Sequence, residues 1–152
     1  MPKIVSINVN KNGGVPKHPV EFAYVDNLNV RGDKQKDKKH HGGADRAVCL
    51  FSYELIEQIK KEGHPIFSGS TGENITIQGL DWNLMRPGAR FSLGEVEIEI
   101  TGHTPPCKTI SHSFKEGDFS RISQKKHPGW SRWYAKVLKK GRICKNDEVY
   151  LK

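Results

Sequence analysis

Residues 95–101 read Glu-Val-Glu-Ile-Glu-Ile-Thr, an alternation between charged and apolar side chains. In an extended chain Glu95, Glu97 and Glu99 fall on one face and Val96, Ile98 and Ile100 on the other. A helix would scatter both sets around its circumference. Only a strand with one face on a core and the other in water separates them, so this stretch commits the chain to a half-buried antiparallel sheet.

Other segments repeat the extended pattern less cleanly. A first strand alternates through Val5, Ile7 and Val9, with Ile4 out of step. Gly13-Gly14 and Pro16 mark a turn before a second extended run, Val20 to Val25. Gly32 to Lys39 is polar and reads as an exposed loop, and Ala47–Phe51 as a short buried strand. Further extended segments fall at Asn74–Ile77, Arg90–Leu93 and Glu148–Leu151. Ser52 is a candidate N-cap for a helix through Lys61, with Leu55, Ile56 and Ile59 as its apolar face and Gly63 as its stop. Trp130, Trp133, Tyr134, Val137 and Leu138 fall at i, i+3, i+4, i+7 and i+8, which predicts a second amphipathic helix with its aromatics in the core. No repeat or linker divides residues 1–152. Short strands at near-regular spacing with two modest helices predict one mainly β, barrel-like domain.

A compact chain of 152 residues buries roughly 68–70% of the surface its unfolded form exposes and needs no disulfide or metal to fold. Three cysteines, Cys49, Cys107 and Cys144, form no C-x-x-C pair and leave one over from any disulfide, which points to a reducing, cytoplasmic compartment. No apolar run reaches the length of a membrane span, and the N-terminus lacks the apolar stretch of a secretory signal. The net charge of +8 favours an anionic partner. Nucleic acid is not expected, because no recognisable module interleaves aromatics with that charge; a phosphate-bearing small molecule is compatible.

Four clusters carry candidate chemistry. In His40-His41-Gly42-Gly43-Ala44-Asp45-Arg46-Ala47 the glycines allow close backbone approach to a ligand, while Asp45 and Arg46 offer an acceptor and a guanidinium; a glycine turn with a surface ion pair is the plain alternative. Glu73 and Asn74 can hydrogen-bond a heterocycle, or Asn74 can simply serve a turn. Pro105-Pro106 stiffens the backbone ahead of Cys107, whose neighbour Lys108 favours the thiolate, the reactive and metal-binding form. An inert buried thiol is the commoner fate of a free cysteine, and that reading applies to Cys49 and Cys144. His103 and His112 flank the Cys107 loop. Their spacing matches no standard zinc pattern, while a Cys–His nucleophilic pair stays open.

Taken in order, these clusters resemble the MOSC domain, the module shared with the C-terminal part of molybdenum-cofactor sulfurases, and most closely its stand-alone, YiiM-like type. The resemblance runs through Val30-Arg31-Gly32-Asp33-Lys34-Gln35, His41 to Val48, Gly72-Glu73-Asn74-Ile75-Thr76, Arg86-Pro87-Gly88 to Leu93-Gly94, Pro106-Cys107, and Gly129-Trp130 through Leu138 to Asp147-Glu148-Val149. It implies a MOSC-type β-barrel and a molybdenum–pterin cofactor, with Cys107 as metal ligand and catalytic residue. His41, Gly42, Gly43, Asp45, Arg46, Glu73, Asn74 and Lys108 are the residues it implies for cofactor binding, with Lys34 a lesser candidate. It also implies reduction of N-hydroxylated small molecules. The chain shows no iron–sulfur cysteine set, so electrons would come from a separate donor protein. The alternative is a non-catalytic sulfur-carrier or cofactor-handling module, with a persulfide on Cys107 and a delivery protein as partner. Pyridoxal phosphate, which belongs to the fused sulfurase partner, is not expected here.

Overall fold

The computed structural model describes residues 1–34 and 43–152. Among these residues, ten strands and one α-helix follow in the order β1 (Lys3–Val9), β2 (His18–Val20), β3 (Phe22–Val25), β4 (Val48–Ser52), α1 (Tyr53–Lys61), β5 (Ile75–Gln78), β6 (Arg90–Leu93), β7 (Val96–Thr104), β8 (Arg132–Lys139), β9 (Gly141–Cys144) and β10 (Val149–Leu151). Short 3₁₀ turns fill several connections, including Ala44–Arg46 and Lys108–Ser113. The protein is mainly β. No helix among the described residues is long and apolar enough to cross a membrane.

Eight strands form one sheet in the order β10-β6-β7-β8-β4-β5-β1-β2, and β3 pairs with β9 in a separate ribbon. Pairing is antiparallel except between β4 and β5, where α1 forms part of the crossover. The sheet is not closed into the expected barrel. Strand β1 pairs with β5 and β2, and its start meets the segment entering β10 through the isolated Lys3–Glu148 bridge and backbone hydrogen bonds of Pro2 and Ile4 with residues 146–149, without a continuous ladder between β1 and β10.

Strand β7 buries Val96, Ile98 and Ile100 and turns Glu97 and Glu99 outward, as its alternation requires. It extends three residues beyond the patterned stretch, to Thr104. In β1 the fully buried apolar residues are Ile4 and Ile7 rather than Val5, because a register shift between Ile4 and Ser6 resets the alternation. The expected run from Val20 to Val25 divides at Glu21, with β2 in the large sheet and β3 in the ribbon. Helix α1 begins where expected: the Ser52 hydroxyl accepts from the Leu55 N–H at 3.2 Å, and Ile56 and Ile59 are fully buried. Burying each of these isoleucines contributes about 1.5–3 kcal/mol.

The second predicted helix is instead the central strand β8, held between β7 and β4. Arg132, Trp133, Tyr134 and Ala135 are all buried, so no residue in this run marks a solvent face. A strand covered on both sides loses its period of two, and the helix-like spacing of the apolar residues is accidental. The aromatic and β-branched composition of Trp133, Tyr134 and Val137 suits a strand.

Candidate functional site

Two cavities meet at the centre of the large sheet. The inner one, about 200 Å³, is lined by residues of β4, β7 and β8 together with Lys17, Lys34, Thr71, Gly72 and the loop carrying Cys107 and Thr109. The outer one, about 840 Å³, is lined by Asp45, Arg46, His103, Pro105 and Pro106, among others. Among the described residues, only Cys107 and Tyr134 line both. Each stands between the smaller inner pocket and the larger outer groove.

Register explains the inner surface. Cys49 of β4 lies opposite Tyr134 of β8, and Thr104 of β7 lies opposite Arg132. Arg132 and Tyr134, two apart on one strand, project to the same side. The Cys49 sulfur and Thr104 hydroxyl are 3.6 Å apart. Cys49 is buried and its thiol pKa is raised by desolvation, so it is the inert thiol expected.

Cys107 differs. After Thr104 the chain leaves the sheet through Pro105 and Pro106, and Cys107 precedes the turn Lys108–Ser113, whose Ile110 N–H donates to the Cys107 carbonyl at 3.1 Å. The Cys107 sulfur is half-buried and lies 2.9 Å from the Thr109 hydroxyl oxygen. Burial pushes the neighbouring Tyr134 phenol well above its ordinary range.

The other expected site residues divide. His41 and Gly42 lie outside the described residues. Gly43 has φ +81°, a conformation that favours glycine, and caps the turn Ala44–Arg46. Asp45 is exposed and its carbonyl accepts from the Thr101 hydroxyl at 2.5 Å. The Arg46 guanidinium sits 5.6 Å from the centre of the Tyr134 ring. Both side chains therefore belong to the outer groove. Asn74 lines the inner cavity, but its side chain accepts from the Cys49 N–H at 3.0 Å and donates to Asp33 at 2.9 Å, both interactions within the fold.

Glu73 is fully buried and lines neither cavity; its carboxylate accepts from the Thr71 and Thr76 hydroxyls at 2.9 and 3.2 Å. Lys108 is exposed and lines neither cavity. Lys34 stands at the inner one. His103 lines the outer groove with its ring edge-on to Trp133, while His112 is exposed outside both cavities. No group of three His, Cys, Asp or Glu side chains able to hold a metal occurs among the described residues.

Sequence reasoning missed Arg132, Tyr134 and Lys17. Arg132 and Tyr134 were concealed by the helical reading of 130–138; an extended reading puts both on one face. Lys17 is 7% exposed, and both Asp33 oxygens lie 2.6 Å from its ammonium. A lone lysine between Pro16 and His18 carries no sign of that pairing.

The chain is 29% identical to the uncharacterized protein YflK of Bacillus subtilis over 142 residues, 91% of this chain and 62% of that protein. It is 28% identical to protein YiiM of Escherichia coli over 128 residues, 82% of this chain and 56% of that protein. It thus spans less than two thirds of both. A protein of Gibberella moniliformis named as a reductase is 28% identical over 127 residues, but those cover only 22% of its length. The crystal structure of YiiM from Geobacillus stearothermophilus superposes with a TM-score of 0.75 at 23% identity, covering 100% of this chain and 75% of that one, so the fold is shared. Residues 37–150 match the MOSC domain model, and the chain belongs to the MOSC domain family.

Proposed function

We propose that this protein binds a molybdenum–pterin cofactor with Cys107 as metal ligand and reduces N-oxygenated small molecules with electrons from a separate donor protein. The observation that carries the reading is the position of Cys107: a half-buried thiol on the wall shared by both cavities. The residues fit such a group. A thiolate is a soft ligand suited to this metal, and a metal at its sulfur would have space on either side for an extended organic ligand and a substrate. The outer groove has the volume of a small-molecule site. Arg46 and Asp45 on its wall offer a guanidinium and a carboxylate to polar edges.

When bound, the cofactor supplies two-electron chemistry, R₂N–OH + 2e⁻ + 2H⁺ → R₂NH + H₂O, and the protein supplies binding, orientation and electrostatics. Cys107, on the stiff Pro105-Pro106 segment, would hold the metal. Tyr134 lines both cavities and presents a phenol without adding charge. The name of the Gibberella moniliformis relative agrees with the reaction class.

The test is protein made in a cofactor-producing host, analysed for molybdenum, then given an N-hydroxylated base and an artificial reductant. Wild type is expected to carry the metal and turn over, and Cys107→Ala to lose both while staying folded. A Cys107→Ala protein with full metal content and activity overturns the reading.

A further inference from the structure

We propose that the outward face of the β3–β9 ribbon is a docking surface for a partner protein that presents carboxylates around an apolar contact. The ribbon alternates as a half-buried sheet must. Ala23, Val25 and Ile143 are buried, while Phe22, Tyr24 and Arg142 are exposed. Phe22 is 58% exposed, and Leu28, on the turn after β3, is 61% exposed. Two aromatic rings therefore stay in water on a strand whose other face is packed.

Pairing register makes these side chains one surface. Tyr24 lies opposite Arg142 and Phe22 opposite Cys144, so Arg142 is the diagonal neighbour of Phe22 and within reach of it. The Arg142 guanidinium is 4.7 Å from the Phe22 ring centre, and the Arg31 guanidinium is 4.3 Å from the Tyr24 ring centre. The Arg31 N–H also donates to the Tyr24 carbonyl at 2.9 Å. Phe22 and Arg142 are far apart in sequence, and only the pairing of β3 with β9 interleaves charge and aromatics here.

Single exposed apolar side chains are ordinary; a cluster of them set among guanidinium groups is not. Interfaces concentrate aromatic residues and Arg at their energetic centres. A guanidinium already held over a ring has less side-chain entropy to lose on binding, so both arginines are preorganised donors. Carboxylate is the group their planar fork matches. Among the described residues Arg142 is in no ion pair. Arg31 meets Asp26 only at 3.7 Å, with 65% of its side chain exposed.

Charge decides the occupant. The chain carries a net charge of +8, and a two-fold pairing of copies through this face would set the same patch, arginines included, against itself. An acidic protein surface gains where a second copy loses. Single-stranded nucleic acid takes much of its affinity from bases stacked on open rings, whereas each ring here already carries a guanidinium.

Docking at the ribbon is independent of the molybdenum reading, so metal-free protein serves for the test. The probe is a fluorescein-labelled Glu-rich peptide with a central Leu-Trp pair, and its Gln-rich counterpart is the control. Wild type is expected to bind the acidic peptide about 10-fold more tightly than the control, with amide NMR shifts centred on the ribbon. Phe22→Ser and Arg142→Gln, both at exposed positions, should each weaken binding about 5-fold or more while Tm holds. Lys61→Gln, an equal loss of charge at an exposed position on α1, should change it less than about 2-fold.

No preference for the acidic peptide, shifts centred elsewhere, or a Phe22→Ser protein that binds as tightly as wild type overturns the assignment. Equal losses in Arg142→Gln and Lys61→Gln also overturn it, by reducing the binding to net charge. So does a wild-type dimer in sedimentation that Phe22→Ser dissolves, which gives the face to a second copy. An oligouridine bound more tightly than the peptide, and released by the same substitution, overturns it in favour of RNA.

Discussion

The Thr109 hydroxyl oxygen lies 2.9 Å from the Cys107 sulfur, and both side chains line the inner cavity. The two residues are separated only by Lys108, at the start of the turn Lys108–Ser113, so the contact follows from the local backbone. It fixes where the sulfur points. Groups that hydrogen-bond a metal ligand orient it and tune its basicity.

Thr109→Val removes the hydroxyl and keeps the side-chain shape. On the proposed cofactor reading its metal retention or turnover should fall by about 10- to 100-fold, with thermal stability unchanged because Thr109 is exposed. Thr109→Ser restores the hydroxyl and should recover most of the loss. Molybdenum content after gel filtration, measured beside turnover, separates a change in metal binding from a change in rate. Equal content and activity in all three proteins would assign the contact no role.

Asp33 is a structural hub. Its carboxylate accepts from the Lys17 ammonium, from the Asn10 N–H at 2.8 Å and from the Asn74 side chain at 2.9 Å. The ion pair is buried, with 8% of the Lys17 and 1% of the Asp33 side chain exposed. Breaking such a pair from one side costs about 3–5 kcal/mol, because the remaining charge is stranded. Asp33→Ala is therefore expected to lose about that much in urea unfolding, and Asp33→Ala with Lys17→Met to recover part of it. A double variant as unstable as the single one would locate the cost in the Asn10 and Asn74 contacts.

How far the sequence revealed this molecule depended on whether a local pattern decided the structure. Glu95 to Ile100 gave its strand because one face meets water; Ser52 gave its helix start because a cap acts within one turn. Strand β8 was misread because burial on both faces erased the period that would have identified it, and Arg132 and Tyr134 were lost with it. Pro105-Pro106-Cys107 was legible as a stiff loop bearing a thiol. The partition Cys107 forms with Tyr134 was not, since it depends on β7 and β8 pairing across 30 or so residues. Glu73 and Asn74 were noticed for polarity, yet most of their hydrogen bonds serve the fold, a distinction that only burial and partners reveal.

The Ser52 cap gives a simple test of that local legibility. Its hydroxyl accepts from the Leu55 N–H, and the residue is 2% exposed. Ser52→Ala should cost about 1 kcal/mol of stability, read as a lowered urea midpoint with unchanged slope, while Ser52→Thr should cost less. A loss well above 2 kcal/mol would mean that Ser52 acts as a member of β4 as much as a cap.

Glu73 makes the last prediction, one of direction with pH. Burial raises its carboxyl pKa above the ordinary 4.5, ahead of the opposing hydrogen bonds from Gly69, Thr71 and its own N–H and the charge of Arg132. The folded pKa therefore exceeds the unfolded one. Its contribution to stability is full below the unfolded value and is lost as pH rises through the folded value. Glu73→Gln does not titrate, so it provides the reference. Wild-type stability minus that of the variant should fall as pH rises from about 4 and level off above the folded pKa. Urea unfolding of both proteins from acid to mildly alkaline pH measures it. A difference that grows with pH would reverse the sign: the hydrogen bonds and Arg132 would then outweigh burial, and Glu73 would be a buried carboxylate whose charge partly offsets the guanidinium.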